Sequence, residues 1–325
     1  MKNSNTRSLT EGAILAAITA IIGIISFYMP LFFFLSMFWA VPIVIIGLRN
    51  GLKISVISTI VSSILVSILT TPAMGLSFLL VFGLPGITMG FLLNRGYNTV
   101  YVIMISGLVF AVCNVAGILL SFALTGVNIS SGVNTMFKEM QEIYSTQMAQ
   151  ITDMYAKNGI SQEQLQKMFP PVEMMMEQMR MMIPSIFIIA GMISAFINFK
   201  AVRLILGRIG YQMKDIKKFQ YWRLPSNFLS GMIIMLLLSY IGVYLKIINA
   251  DTILLNIFTI MLAIVSTIGL SIASFYMIKR NVPKVLRAII LFLGFLNLPY
   301  IFAMVGIFDS AFNLRKLNSE GEGGI

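Results

Sequence analysis

The strongest constraint on this chain is a succession of long apolar runs with almost no charge inside them. The first extends from Leu9 to Tyr28 and is stopped by Met29-Pro30, because proline lacks the N–H that would continue a helix. At roughly 20 residues it can cross a bilayer as an α-helix. Ser8, followed three residues later by Glu11, reads as a capping box at its start. Gly12, Ala16, Ala20 and Gly23 share one face of this helix, with Ala13 and Ala17 beside them, while Ile14, Ile18, Ile21, Ile22 and Ile25 form the opposite face. In lipid, a face of small residues lets another helix backbone come close. A second run, Leu31 to Leu48, holds Trp39 and Pro42 and closes in Arg49-Asn50-Gly51-Leu52-Lys53.

Seven further runs follow: 54–69, 76–93, 100–124, 183–206, 228–245, 253–278 and 286–307. Gly83-Leu84-Pro85-Gly86 and Gly90 lie inside the fourth run of the chain, and Asn297-Leu298-Pro299 interrupts the last. The pattern predicts an all-α polytopic membrane protein with about nine spans, or eight if 31–48 re-enters without crossing. Of 325 residues, 58% are hydrophobic and 11% charged. That is more apolar surface than a soluble domain of this size can hide.

The formal net charge of +11 could suggest nucleic acid, but the basic residues sit between the apolar runs. Cytoplasmic loops of membrane proteins are basic by rule, so no nucleic-acid partner is expected. An N-terminus inside gathers Lys2, Arg7, Arg49, Lys53, Arg95, the basic residues of 200–223, Lys279, Arg280, Lys284 and Arg287 on the inner side. It leaves Lys138, Lys157, Lys167, Arg180, Lys246, Arg315 and Lys316 outside. The first run reads as an uncleaved signal-anchor, since no small-x-small site precedes Pro30. The expected location is a bacterial plasma membrane with the N-terminus cytoplasmic.

Five segments are expected: membrane helices over 1–127, an outer amphipathic helical hairpin over 128–182, a sixth span with its basic loop over 183–225, three spans over 226–308, and a disordered polar tail over 309–325. In the hairpin, Met136, Met140, Ile143, Met148, Ile151 and Tyr155 recur at helical spacing, Asn158-Gly159 breaks the run, and Ser161 with Gln164 starts another helix.

Chemistry is sparse. There is no histidine and a single cysteine, Cys113, inside an apolar run. No P-loop, nucleophile elbow or pair of carboxylates within a span is present, so an enzyme is not expected. With no ATP-binding motif and few intramembrane ionisable groups, active transport would draw its energy from a partner. The methionines Met174, Met175, Met176, Met179, Met181 and Met182 read as an adaptable apolar face. No metal or cofactor is expected there, because cysteine or histidine support is missing. The polar groups inside spans are Thr70, Thr71, Asn114 and Ser121 toward one side and Asn198 toward the other. The first four, with Trp39, form the candidate ligand pocket.

The alanine-rich first helix, followed by a proline-bearing helix ending in a basic, glycine-containing turn, resembles the S component of energy-coupling-factor vitamin transporters. Over nearly the whole chain, the order of features resembles the YybS-like family of bacterial multi-pass proteins, whose N-terminal half is S-component-like. The resemblance implies a ligand site on the outer side of a six-helix bundle. It also implies a docking face on the first helix, made by Gly12, Ala13, Ala16, Ala17 and Ala20, for a coupling transmembrane subunit served by separate ATPases. The alternative is a membrane scaffold or regulatory protein that binds partners through its outer hairpin or basic inner loop.

Overall fold

The computed structural model describes residues 2–157, 171–225 and 227–316, with side chains except at 2–5 and 33. Its described residues form helices and turns with no strand. They divide into two compact units, Met1–Gln212 and Met213–Ile325.

Unit 1 contains α1 (Lys2–Tyr28), a 3₁₀ segment (Pro30–Phe38), α2 (Ala40–Asn50), α3 (Leu52–Leu69), α4 (Pro72–Phe78), a π-helical turn (Leu79–Gly83), α5 (Leu84–Asn94), α6 (Thr99–Thr125), α7 (Ile129–Lys157), α8 (Val172–Met181) and α9 (Ile183–Arg208). The short helix α2 is its centre. Every residue from Ala40 to Leu48 is buried, and α1, α3, α5 and α9 all pack on it. Contact this close needs small residues. A Cβ on Gly47 would come within 3.0 Å of the Gly90 Cα, and one on Gly191 of α9 would strike the Gly107 carbonyl of α6.

Polar side chains stitch the same seams. Ser55 Oγ donates to Ile43 O at 3.2 Å, Ser58 Oγ to Gly12 O at 3.2 Å, and Asn94 Nδ2 to Leu48 O at 2.7 Å. Interhelical bonds of this kind contribute about 0.5–2 kcal/mol each in a bilayer. Ser55, Ser58, Thr59, Ser62 and Ser63 of α3 therefore form one buried polar face. Gly12, Ala16 and Ala20 are buried, Gly12 directly against α3, whereas Ala13 and Ala17 are exposed.

Glu11 does not cap. α1 begins at Lys2, more than a turn before Ser8, and Glu11 meets Arg49 Nη1 at 2.7 Å and Asn50 Nδ2 at 3.4 Å. The carboxylate thus ties α1 to the basic end of α2. Gly132 is the one buried residue of α7 and seats the Phe122 ring, while Phe137, Tyr144, Met148, Ile151 and Tyr155 are half-buried on a largely exposed helix. Arg180 of α8 stacks over Phe137 of α7, 4.7 Å from the ring centre. The turn at Asn158-Gly159 and the helix start at Ser161 lie outside the described residues.

Unit 2 contains a 3₁₀ turn (Phe219–Tyr221), α10 (Phe228–Tyr244), α11 (Ala250–Lys279), α12 (Lys284–Asn297) and α13 (Pro299–Phe312). Helices α12 and α13 meet at a 104° bend. Pro299 cannot donate back to Phe295, so the helix breaks at Leu298 and restarts. α13 then lies against α11 with no room for side chains: a Cβ on Gly269 would strike the Phe302 carbonyl, and one on Gly306 the Val265 carbonyl.

All nine apolar runs fold as helix, but seven helices are long and apolar enough to cross a membrane among the described residues, or eight if the bent pair is one span. α10 has 17 residues, about 25 Å of helix against a hydrocarbon core of about 30 Å. Residues 30–50 pass the same length test as one 21-residue segment.

One consequence of a nine-span count does not hold. Nine crossings would put Arg315 across the membrane from the 200–223 stretch. Instead, the Arg315 guanidinium donates to Gln220 O at 2.7 Å and to Trp222 O at 2.8 Å. Tyr276, three residues before Lys279, donates to Leu314 O at 3.0 Å. The bend returns the chain to the end of α11 that carries Lys279 and Arg280. In a Cys113→Ser background, single cysteines at Lys217 and Lys316 should be labelled by an impermeant maleimide from the same side. Labelling of Lys217 and Lys316 from opposite sides would refute the returning path.

Candidate functional site

Two irregular helical stretches of unit 1 meet at one side chain. Pro30 starts the first, with Met29 extended before it, and the chain winds as a 3₁₀ helix to Phe38. Pro85 causes the second. It has no N–H for the Val81 carbonyl, and the preceding turn widens until Leu84 N donates to Leu79 O. Such π turns and mid-span 3₁₀ stretches are frequent at hinges and functional sites.

Trp39 sits where the two meet and is fully buried. Its indole stands edge-on to Phe78 at 5.1 Å and to Phe82 at 6.2 Å between ring centres. Ala20, Ile43 and Val66 complete the cluster. The indole nitrogen faces Gly23 of α1, where a Cβ would lie 3.1 Å away.

The polar geometry around Trp39 is incomplete. Its Nε1–H has no acceptor. Two residues earlier, Met37 O accepts from Asn198 Nδ2 at 2.9 Å, and the same amide donates to Ser194 O at 2.9 Å. The Asn198 carbonyl oxygen has no donor, and Asn198 is 1% exposed. Among the described residues, these two atoms and Ser106 Oγ are the buried side-chain polar atoms with no hydrogen bond. Each such group costs about 1–3 kcal/mol. The unpaired donor of Trp39 and the unpaired acceptor of Asn198, joined through the Met37 carbonyl, therefore call for an explanation.

The other expected pocket residues are satisfied elsewhere. Thr70 Oγ1 donates to Val66 O at 2.6 Å, Thr71 Oγ1 accepts from Met74 N at 3.2 Å and caps α4, and Asn114 Nδ2 donates to Phe110 O at 2.7 Å. Ser121 is exposed. Of the five, Trp39 alone belongs to the incomplete polar site, and Asn198, left out of the expected pocket, joins it. The signal for Asn198 was its presence as an amide within an apolar run.

Unit 2 holds a second concentration of polar chemistry. Asp309 and Arg315 form an ion pair at 2.7 Å with side chains 1% and 0% exposed. All five guanidinium N–H groups are used: Nε and Nη2 on Asp309, Nη1 on Gln220 O and Ser271 Oγ, and Nη2 on Trp222 O. Asn313 makes the reversal possible by taking a left-handed φ of 49°, a conformation asparagine tolerates. Asp309 therefore lies within α13 rather than at the start of a tail.

The helix lengths, glycine seams and buried interhelical bonds define a multi-pass helical membrane protein. The family of predicted membrane proteins DUF2232 matches residues 17–310, and the chain belongs to it. It is 25% identical over 320 residues to "Uncharacterized protein YybS" of Bacillus subtilis (strain 168), covering 96% of this chain and 98% of that protein. No solved structure matches the chain.

Proposed function

We propose that unit 1 binds a small uncharged organic molecule at the Trp39–Asn198 junction and works as the substrate-capturing subunit of a transport system energised by separate proteins. The observation that carries this reading is an unpaired indole N–H on Trp39 and an unpaired amide oxygen on Asn198, both buried, with the Asn198 amide bonded to the carbonyl two residues before Trp39. A ligand with one acceptor and one donor would satisfy both. The 3₁₀ and π stretches around Trp39 are the segments able to re-register and admit it. An uncharged ligand fits because the Glu11–Arg49 ion pair lies at the far end of α2 and neutralises itself there. The orientation follows the basic loops, with the N-terminus cytoplasmic in a bacterial plasma membrane and the α7–α8 hairpin outside. Ala13 and Ala17, exposed on α1, offer the close-approach face for a coupling subunit.

Thermal stabilisation in detergent against a library of small uncharged metabolites tests the reading. A binding molecule raises the melting temperature by mass action. The shift should vanish in Trp39→Phe and in Asn198→Leu. A ligand whose shift survives both substitutions would place binding elsewhere.

A further inference from the structure

A surface of unit 2 carries an inference independent of the reading of unit 1. The loop of residues 217–222 is held against α11 through its own carbonyl groups. Ser271 Oγ donates to Phe219 O at 2.7 Å, Arg315 takes Gln220 O and Trp222 O, and Trp222 Nε1 donates to Lys217 O at 2.8 Å. The negative ends of three peptide groups, those of Phe219, Gln220 and Trp222, thus turn inward. The side chains of Lys217 and Lys218 turn outward and are exposed. Arg315 adds no net charge, because Asp309 neutralises it within the core. Its role is to fix the loop.

More positive charge gathers at the same end. Lys279 and Arg280 close α11, eight and nine residues after Ser271, and both are exposed. Lys316, also exposed, follows the buried Arg315 directly. The loop is aromatic as well as basic. Phe219 and Trp222 pack edge to face at 5.2 Å, and Tyr221 lies 6.2 Å from Phe275 of α11. Half-buried aromatic rings beside lysines mark the depth at which a bilayer meets water. A partner for this surface must carry negative charge and lie at that depth.

We infer that the end of unit 2 formed by Lys217, Lys218, Lys279, Arg280 and Lys316, shaped by the Asp309–Arg315 latch, is a docking surface for the phosphate groups of anionic phospholipid headgroups. Attraction of basic residues to an anionic leaflet amounts to on the order of fivefold in affinity per charge. It falls off within about a Debye length.

The test uses the full-length protein in a neutral detergent, titrated with phosphatidylglycerol or with phosphatidylcholine, bound lipid being counted by native mass spectrometry. Phosphatidylglycerol should be retained preferentially. Lys217→Gln/Lys218→Gln should reduce that preference by on the order of tenfold or more, as should Lys279→Gln/Arg280→Gln. Lys138→Gln/Lys157→Gln, on exposed α7, should leave it intact. An unchanged preference in both unit 2 variants would overturn the assignment. So would an equal loss in the α7 control, which would make the effect one of net charge. Inorganic phosphate that competes as well as phosphatidylglycerol would reassign the surface to a soluble anion and overturn the lipid source.

Discussion

Asp309→Ala should destabilise unit 2 by about 3–5 kcal/mol, because it leaves the Arg315 guanidinium buried without a counter-charge. The pair is 1% and 0% exposed, so water cannot compensate. Arg315 would then hold its loop carbonyls only at the cost of an isolated charge in an apolar environment. Asp309→Asn should cost less, since the amide keeps an acceptor for Nε or Nη2. The double substitution Asp309→Leu/Arg315→Met should recover part of the loss, because matched apolar groups remove both desolvation penalties together. The double substitution would also free the Gln220 and Trp222 carbonyls of the loop, leaving the Ser271–Phe219 bond. Trp222 reports this directly. The chain has two tryptophans, Trp39 in unit 1 and Trp222 in unit 2, so a Trp39→Phe background makes Trp222 fluorescence the signal of unit 2 alone. Equal unfolding midpoints for the parent and Asp309→Ala would remove the latch from the account.

At Trp39 the sign depends on the replacement. Trp39→Ala should cost about 3–5 kcal/mol, the range for deleting a large buried ring and leaving a cavity. The space lies between Phe78, Phe82 and Val66, and the glycines around it cannot fill it. Trp39→Phe keeps an aromatic edge against Phe78 and removes the unpaired N–H, whose burial opposes folding. Its melting point should stay close to that of the parent. Cys113, the single cysteine, is buried in α6, so its reaction with a thiol dye during heating follows unit 1 in both variants. A large loss in Trp39→Phe would mean that the N–H stabilises the resting fold through a bond, and the incomplete site would not exist.

The parts of the fold written in local sequence could be read from it. Each apolar run became helix because length, hydropathy and proline stops act within one segment. The small-residue face of α1 was legible, but its neighbour was not: Gly12 meets Ser58 of α3, and nothing in spacing along one helix says which other helix it touches. Ser8 and Glu11 fit a capping box, yet α1 begins at Lys2, so the N–H groups near Ser8 are already bonded within the helix and Glu11 serves Arg49 instead. The returning path of α12 and α13 was hidden because Asn297-Leu298-Pro299 specifies a break and leaves its angle open. Asp309 and Arg315 are six residues apart at the border of a polar tail. Only the reversal at Asn313 brings them together. Trp39 is legible in the sequence as a candidate binding residue by its type. Its significance lies in an acceptor that the packing does not supply, and packing is a property of four helices at once.

Extraction of the protein from native membranes, followed by mass spectrometry of small molecules released on denaturation, tests the central claim most directly. Wild-type protein should release a specific uncharged molecule in near-stoichiometric amount, and Trp39→Phe, folded to the same extent, should release little of it. Identical small-molecule profiles from the two proteins would contradict a ligand site at Trp39.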